Sequence, residues 1–285
     1  MTRTSKQRGE RRHGLQDSER SLRLFGVPVS PWSADELIMD TTAAAQGRAH
    51  RLSGPQVTIG YANPHVLNMS VHDRVLREQL QSASTVICDG SGVRLGARIL
   101  GRRLPPRLAA ADWIDDLCAT AAEKGIPIYF LAGNEGVAKR AAAVLTSRHA
   151  GLRIPGAHHG YLTPELSRNV VDDINGSGAS IVLVGMGTPV QEHWIAKYRP
   201  SIKAPVVWAV GAVLDFVTGE QRRSPAWIRR LHLEWLWRLG SDPVRLWRRY
   251  VIGNPLFLLR VARQRLTGWE PGVGNPAGPS GPGGA

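Results

Sequence analysis

The stretch SIVLVGMGTPVQEHWIAKYR, residues 180–199, carries the pattern on which the fold prediction rests. Its first half is a continuous apolar run that ends in two glycines, and its second half has the spacing of a helix. A strand whose apolar residues do not alternate with polar ones is typical of a sheet that is covered on both faces. A buried strand followed directly by a helix therefore predicts one unit of an α/β fold.

The same alternation of apolar runs and helical patterns recurs from residue 23 onward. We therefore predict a Rossmann-like, mostly parallel sheet with helices on both faces, followed by a C-terminal helical segment that is basic and aromatic. The further predicted strands lie within residues 23–29, 56–63, 85–90, 126–133, 152–161 and 205–213. The predicted helices span residues 33–45, 64–83, 111–125, 134–149, 163–178 and 188–199.

Positive charge is concentrated at the two ends of the chain. The 285 residues carry a formal net charge of +13, and residues 222–265 hold eleven arginines against two acidic residues. The region between the ends is nearly balanced, which argues against a uniformly basic nucleic-acid binder and for a localised anionic contact surface. We predict a disordered basic leader (1–22), an α/β domain (23–221), an Arg/Trp-rich helical appendage (222–267) and a disordered Gly/Pro tail (268–285).

Several classes of protein and site are disfavoured by composition. No apolar run reaches the roughly 18 residues of a membrane span, and no apolar segment of a secretory signal follows the basic N-terminus. Cys88 and Cys118 lie in apolar contexts and are expected to be buried thiols in a reducing compartment. The histidines are scattered, and no acidic pair has the spacing of a metal-held diphosphate site, so we predict no metal.

Asp89 is the first candidate for chemistry, because ligands of open α/β sheets bind beyond the carboxyl ends of the strands. It follows the apolar run STVIC and precedes Gly90, where the backbone can approach a ligand closely. One interpretation is a general base, which must reach an acceptor hydroxyl within hydrogen-bonding distance. The other is a cap for the helix that begins near Val93.

Other strand-end loops leave alternatives open. The loop from Gly133 to Gly136 either binds a phosphate with its free amides or is a tight turn. The segment from Gly187 to Glu192 predicts Thr188 as helix cap and Pro189 as the first helical residue, but it lacks the third glycine of a dinucleotide fingerprint. Asp215, after Gly211, either binds ribose hydroxyls or starts a helix. Arg107 either binds a diphosphate or is a solvated loop residue.

Taken in order, these segments resemble the WecG/TagA/CpsF family of bacterial glycosyltransferases. The resemblance covers roughly residues 24–262, and its most specific patterns are VGxGxPxQE and VGAxxDFxxGxxxRxPxW. The matching segments are FGVPVSPWSADEL, YANPHVL, CDGSGVRLGARILG, LPPRLAAADWIDDL, YFLAGNEGVAKRAAAVL, VGMGTPVQEHWI, VGAVLDFVTGEQRRSPAWIRRLHLEWLWRL and DPVRLWRRYVIGNPLFL.

The resemblance implies a metal-independent, inverting transferase. Such enzymes move a sugar, often N-acetylmannosamine or its uronic acid, from a UDP-sugar to a polyprenyl-diphosphate-linked saccharide. The implied setting is the synthesis of a cell-surface polysaccharide or teichoic-acid-like polymer at the cytoplasmic face of the bacterial membrane. No cofactor is expected beyond the UDP-sugar co-substrate, and the choice between a monomer and a homo-oligomer is left open.

The resemblance also assigns roles to single residues. It implies Asp89 as general base, Arg107 as the group that stabilises the leaving diphosphate, and Gln191 as a third member of the catalytic set. The substrate-binding set is Tyr61, Asn63, Gly90, Asp112, Gly133, Gly187, Pro189, Glu192, Gly211 and Asp215.

Three positions depart from the family pattern. Tyr61 stands where the family has threonine, Ala110 replaces a glycine, and Arg223–Trp227 reads RSPAW instead of RAPxW. Because a phenol replaces a small hydroxyl at this position, the identity of the donor sugar is left open. The alternatives are a different donor sugar, such as a hexose or glucuronic acid, and a catalytically impaired protein that binds nucleotide sugars.

Three interpretations compete for residues 222–265. The first is a pair of helices packed on the body with solvated arginines, and the second is nucleic-acid binding, which the neutral body disfavours. The third, which the resemblance favours, is a segment that docks on an anionic membrane surface with tryptophan and arginine. The residues predicted to contact membrane or diphosphate are Arg223, Trp227, Arg230, Trp235, Arg238, Arg245, Trp247, Arg248 and Arg249.

Overall fold

The computed structural model describes residues 22–48, 51–52, 54–105, 108, 110–221, 224–225, 227–228 and 233–271. The strands in these ranges are β1 (Leu22–Leu24), β2 (Val27–Val29), β3 (Val57–Ala62), β4 (Thr85–Cys88), β5 (Ile128–Ala132), β6 (Gly156–His158), β7 (Ile181–Gly185) and β8 (Val206–Ala209). The helices are α1 (Ala34–Ala45), α2 (Pro64–Ser70), α3 (Arg74–Ser82), α4 (Ser91–Ile99), α5 (Ala110–Glu123), α6 (Val137–Arg148), α7 (Pro164–Ser177), α8 (Val190–Tyr198), α9 (Val213–Val217), α10 (Glu234–Ser241), α11 (Pro243–Trp247) and α12 (Gly253–Thr267). A 3₁₀ turn spans Arg199–Ser201, and a π-helical turn spans Arg248–Ile252.

Six strands form one parallel sheet in the order β4-β3-β8-β7-β5-β6, which confirms the predicted Rossmann-like α/β fold. Every residue of β4, β5, β7 and β8 is buried. This is why their sequences are continuously apolar instead of alternating.

Successive residues of the central strands point into two different hydrophobic clusters. In β8, Trp208 belongs to the cluster that includes side chains of α1, α5 and α6, whereas Val207 belongs to the cluster with α7 and α8. Trp208 stacks on Trp113 of α5 with ring centroids 4.1 Å apart. The sheet is therefore covered on both faces, and its carboxyl edge is left for a ligand.

Residues 23–29, predicted as one strand, form a hairpin instead. β1 and β2 pair antiparallel, and the turn between them is made by Phe25 (φ 54°) and Gly26 (φ 77°). Two positive φ angles are typical of the tight turns that join hairpin strands. Phe25 is fully buried, so its apolar character reflects packing and not strand continuity.

Two helix boundaries also differ from the predictions. The helix predicted at 64–83 is broken into α2 and α3, because Asp73 caps the second by accepting a hydrogen bond from the Leu76 amide at 2.9 Å. The predicted cap Thr188 is not the cap of α8, which begins at Val190 with Pro189 before it. The Thr188 hydroxyl instead bonds to side chains of β3 and α8.

The C-terminal helix α12 is packed into the same core as the body. Phe257 and Val261 are buried in a cluster with β1, β2, β4 and helices α2, α3 and α4. Gly96 of α4 makes this approach possible, since a methyl group at its position would lie 2.9 Å from the Phe257 ring. Trp269, within the predicted Gly/Pro tail, lies against Phe25 with ring centroids 5.9 Å apart. The packed chain thus reaches residue 271, whereas residues 1–21 of the predicted leader and 272–285 of the predicted tail lie outside the described ranges.

Candidate active site

A cavity of about 1230 Å³ lies at the carboxyl ends of β3, β4, β7 and β8. The loops after these strands form one side of it, and α4 with the C-terminal helices forms the other. The strand-end loops contribute Tyr61, Asn63, Asp89, Gly90, Gly187, Thr188 and Gly211. Helix α4 and the C-terminal helices contribute Arg94, Arg98, Trp235, Trp237, Arg238, Arg245, Arg249, Tyr250 and Asn254.

Asp89 lies in this cavity and does not cap the following helix. Its backbone amide donates to the Ala62 carbonyl at 2.9 Å, which extends the β3–β4 pairing by one residue. The residue that precedes α4 is Gly90 (φ 121°), and no side chain caps this helix. The helix-cap interpretation of Asp89 is therefore wrong, and its carboxylate is placed at the strand end that a general base requires.

Asn63 and His65 begin α2 beside Asp89. The Asn63 side chain accepts a hydrogen bond from the Val66 amide at 3.0 Å, so this nearly buried residue caps the helix while lining the cavity. Burial, and then the nearby charge of Arg249, lowers the pKa of His65 to about 4. His65 therefore presents a neutral imidazole to the cavity at pH 7.

Gln191 and Glu192 lie behind the cavity wall and are almost completely buried. The Gln191 Oε1 atom accepts from the Gly211 amide at 3.1 Å, and its Nε2 atom donates to Glu192 Oε1 at 2.7 Å. Gln191 thus joins the loops after β7 and β8. Because its side chain has no access to the cavity, we assign it a positioning role and not direct contact with the substrates.

Tyr61 connects this buried pair to the cavity. Its hydroxyl lies 2.9 Å from Thr188 Oγ1, and Thr188 donates to Glu192 Oε1 at 3.1 Å. Burial, and then the charge of Glu192, raises the pKa of the Tyr61 phenol. Burial likewise raises the pKa of Glu192, and this effect outweighs the opposing one of the hydrogen bonds from Gln191 and Thr188.

Five described arginines line the cavity: Arg94, Arg98, Arg238, Arg245 and Arg249. Some have protein partners, since Arg245 bonds Asp242 at 2.6 Å and Arg238 lies over the Phe216 ring. In contrast, the buried Nε atoms of Arg94 and Arg249 have no hydrogen-bond partner among the described residues. Guanidinium groups with unused donors in a cavity are suited to a diphosphate.

The remaining predicted substrate-binding residues lie away from the cavity. Gly133 (φ 70°) donates to the Gly185 carbonyl at 3.0 Å and accepts from the Gly160 amide at 2.9 Å, which favours the tight-turn interpretation of its loop. Asp112 is exposed in the first turn of α5. Asp215 lies within α9, and burial, followed by the charge of Glu220, raises its pKa. Pro189 precedes α8 without lining the cavity.

The residues predicted to contact membrane or diphosphate separate into two groups. Trp235, Arg238, Arg245 and Arg249 line the cavity, whereas Trp247 and Arg248 are exposed outside it. Trp227 lines a smaller apolar pocket with Ile228 and Leu236. Arg107, Arg223 and Arg230 lie outside the described residues.

Sequence reasoning did not select Arg94, Arg98 or His65. A signal for the two arginines was present, because they are four residues apart in a helix that begins directly after Asp89–Gly90. Residues at this spacing share a helix face. His65 carried no comparable pattern, and it lines the cavity from the first turn of α2.

Comparison with known proteins is consistent with this geometry. The profile of the Glycosyl transferase WecG/TagA/CpsF family matches residues 22–271, the whole range from β1 to the end of the described chain. The chain belongs to this family.

Relatives with named activities align with most of this glycosyltransferase. The Bacillus subtilis (strain 168) N-acetylglucosaminyldiphosphoundecaprenol N-acetyl-beta-D-mannosaminyltransferase is 29% identical over 206 residues, which cover 72% of this chain and 79% of the relative. The protein of the same name from Staphylococcus aureus (strain MW2) is 28% identical over 204 residues, with 72% and 79% covered. The predicted family and the predicted transferase activity are confirmed.

No helix within the described residues is long and apolar enough to cross a membrane. No group of three or more His, Cys, Asp or Glu side chains within them is arranged to hold a metal ion.

Proposed function

We propose that this glycosyltransferase moves an N-acetylmannosamine-type sugar from a UDP-sugar to a saccharide that is linked to a polyprenyl diphosphate. The main support is that Asp89 shares one cavity with Arg94 and Arg249, whose Nε atoms have no hydrogen-bond partner among the described residues. The relatives' names specify an N-acetylmannosaminyl group as the transferred sugar and an N-acetylglucosaminyl-diphosphoundecaprenol as their acceptor. A cavity of about 1230 Å³ is large enough for both substrates.

Asp89 acts as the general base in the proposed reaction. The acceptor hydroxyl attacks the anomeric carbon, its proton passes to the Asp89 carboxylate, and the bond from that carbon to the diphosphate oxygen breaks. UDP leaves with the bonding electron pair, and the configuration at the anomeric carbon is inverted. A positioned base of this kind contributes a factor of about 10²–10⁴ to the rate.

The arginines supply the positive charge that the departing diphosphate needs. Arg94 approaches from α4, directly behind Asp89–Gly90, and Arg249 approaches from the C-terminal π-helical turn. Fixed guanidinium donors stabilise developing phosphate charge without a metal ion, so we propose that the reaction is metal-independent. Arg107 is a further candidate for the same role from the family resemblance.

The experiment that tests this function is a screen of UDP-sugars with a short-chain, lipid-linked N-acetylglucosaminyl diphosphate as acceptor. We expect transfer from UDP-N-acetylmannosamine, and a loss of about 10²–10⁴ in kcat for Asp89→Asn. The matched control is Asp172→Asn, because Asp172 is an exposed carboxylate of α7 outside the cavity. Transfer is measured with and without a chelator, and its rate should not change.

Two results would redirect the proposal. Full activity of Asp89→Asn would remove Asp89 as the base. Transfer of only a hexose or a uronic acid would favour the alternative donor, and UDP binding without turnover of any donor would favour a nucleotide-sugar-binding protein.

We also propose that the C-terminal segment docks on an anionic membrane surface. Ile252, Leu256, Leu259 and Leu266 are all exposed, with 51%, 38%, 69% and 83% of their surface accessible. Their spacing places them along one side of α12 and the turn before it. Exposed Arg263 and Arg265 lie among them, as in helices that bind acidic headgroups.

A further inference from the structure

The hydrogen bonds behind the cavity wall fix the direction in which the Tyr61 hydroxyl points its proton. Gln191 Nε2 and Thr188 Oγ1 both donate to Glu192 Oε1, at 2.7 and 3.1 Å. With Glu192 ionised, its Oε1 atom can only accept, so Thr188 is the donor of that pair. The single proton of Thr188 is therefore committed to Glu192.

Because Thr188 has no proton left to give, the Tyr61 hydroxyl must be the donor in the 2.9 Å contact between Tyr61 and Thr188. The phenolic proton is thus engaged by Thr188 and is not available to a ligand. No described group donates to the Tyr61 oxygen in return, and Tyr61 lines the cavity. Its oxygen is left as a hydrogen-bond acceptor only.

We propose that Tyr61 is a specificity-determining residue whose oxygen accepts a hydrogen bond from a hydroxyl or amide N–H of a substrate sugar. This inference rests on the proposed function, since it assumes that a sugar enters the cavity. A phosphate cannot satisfy this position at neutral pH, because phosphate oxygens are themselves acceptors. The arginines are the opposite case, since they only donate. The cavity is therefore polarised, with the diphosphate at the arginines and a sugar at Tyr61.

The backbone around Tyr61 keeps its oxygen in place. Gly211 (φ 60°) leaves the room for the phenol, because a methyl group at its position would lie 3.1 Å from the Tyr61 hydroxyl oxygen. The Gly211 amide is in turn bound by Gln191. A rigid acceptor of this kind discriminates between ligands, because a ligand group without a proton leaves the contact unmade.

The experiment is calorimetric titration of the full chain with UDP, UDP-N-acetylmannosamine and a soluble N-acetylglucosaminyl-diphosphate acceptor analogue. Tyr61→Phe removes the oxygen and keeps the ring. We expect it to weaken one of the two sugar ligands by about tenfold and UDP by less than about twofold. The ligand that weakens identifies the donor sugar or the acceptor sugar as the partner. Tyr198→Phe is the matched control, because the Tyr198 hydroxyl bonds the Pro164 carbonyl outside the cavity.

A second set of titrations tests the direction of the hydrogen bond. A deoxyfluoro version of the weakened ligand keeps an acceptor but loses the proton, so wild-type protein should bind it about tenfold more weakly at the contacted position. Tyr61→Phe should not distinguish it from the parent ligand. Thr188→Val frees the phenolic proton, and this variant should lose most of the preference for hydroxyl over fluorine.

Binding is measured without turnover, so the result is separate from the proposed transfer. If wild-type protein binds these ligands but transfers no sugar, the function fails and the Tyr61 titrations still decide this inference. The inference is overturned if Tyr61→Phe binds both sugar ligands like the wild type. An equal loss of UDP and sugar affinity, or no binding of either sugar ligand to the wild type, also overturns it.

Discussion

The sheet and the C-terminal segment differ in how far their apolar side chains are buried. Each residue of β5 and β7 is buried, and the helices on either face cover the strands. Helix α12 instead buries only part of its apolar surface, through Phe257 and Val261, and leaves Leu259 and Leu266 exposed. The sheet is thus covered on both faces, whereas α12 keeps one apolar side that no described residue covers.

This difference shows that the segment has two functions at once. Its buried side completes the core, and its arginines complete the cavity wall. Deleting residues from 222 onward would therefore remove Phe257 from the core together with any docking surface. Point variants separate the two roles where a truncation cannot.

The largest expected effect is on the buried side of α12. Phe257 is 1% exposed and contacts Phe25 with ring centroids 5.6 Å apart. Phe257→Ala should lower the free energy of unfolding by about 3–5 kcal/mol, measured by urea denaturation. Leu259→Ala on the same helix should stay within about 0.5 kcal/mol. Equal stability of the two variants would mean that α12 is not part of the core.

A smaller effect is expected on the exposed side. We expect a triple variant to bind phosphatidylglycerol vesicles at least about tenfold more weakly in a flotation assay. The variant combines Ile252→Ser, Leu256→Ser and Leu259→Ser, and each substitution removes apolar groups that would be buried in the lipid interface. Val75→Ser together with Met39→Ser, at exposed apolar positions of the body, should leave vesicle binding unchanged. Undiminished binding of the triple variant with an intact fold would exclude this surface as the docking site.

The smallest expected effect is on the pH dependence of the free energy of unfolding. It involves His65 of α2, which lies near Arg249 of the C-terminal segment. The unfolded imidazole protonates near pH 6.5, whereas the pKa of His65 in the fold is lowered to about 4. Stability contributed by the neutral ring is therefore lost as the pH falls from 6.5 toward 4. His65→Gln should reduce the loss of unfolding free energy between pH 7 and pH 4.5 by about 1 kcal/mol, allowing for solvent screening. An identical pH dependence in the variant would show that the imidazole is not buried against Arg249.

The sheet was accessible from the sequence because burial on both faces forces continuous apolar runs such as IVLVG and IYFLA. The hairpin of β1 and β2 could not be predicted in this way. Phe25 adopts a positive φ, and a phenylalanine in a sequence gives no sign of such a turn. The break between α2 and α3 was missed for a related reason. Asp73 looks like an ordinary polar residue of an amphipathic helix until its carboxylate is seen to cap one.

For the site, the strand-end loops could be located from the sequence, but the helices that form the opposite wall of the cavity could not. Tyr61, Asn63, Asp89 and Gly211 share a cavity because parallel strands end at one edge of the sheet. Gln191, prominent in its motif, proved to be buried behind that edge. The convergence of Arg94 with Arg249 depends on contacts between residues far apart in the chain, which no local pattern records.

The close approach of Gly96 to Phe257 sets the distance between helices α4 and α12. Helix α4 starts directly after Asp89–Gly90, and α12 carries the exposed leucines, so one helix–helix contact links the proposed base to the proposed docking surface. A bulkier residue at position 96 would push the two helices apart. The glycine therefore fixes the distance from the proposed base to the proposed docking surface, and with it the height of the Asp89 carboxylate above a bilayer on which that surface would rest.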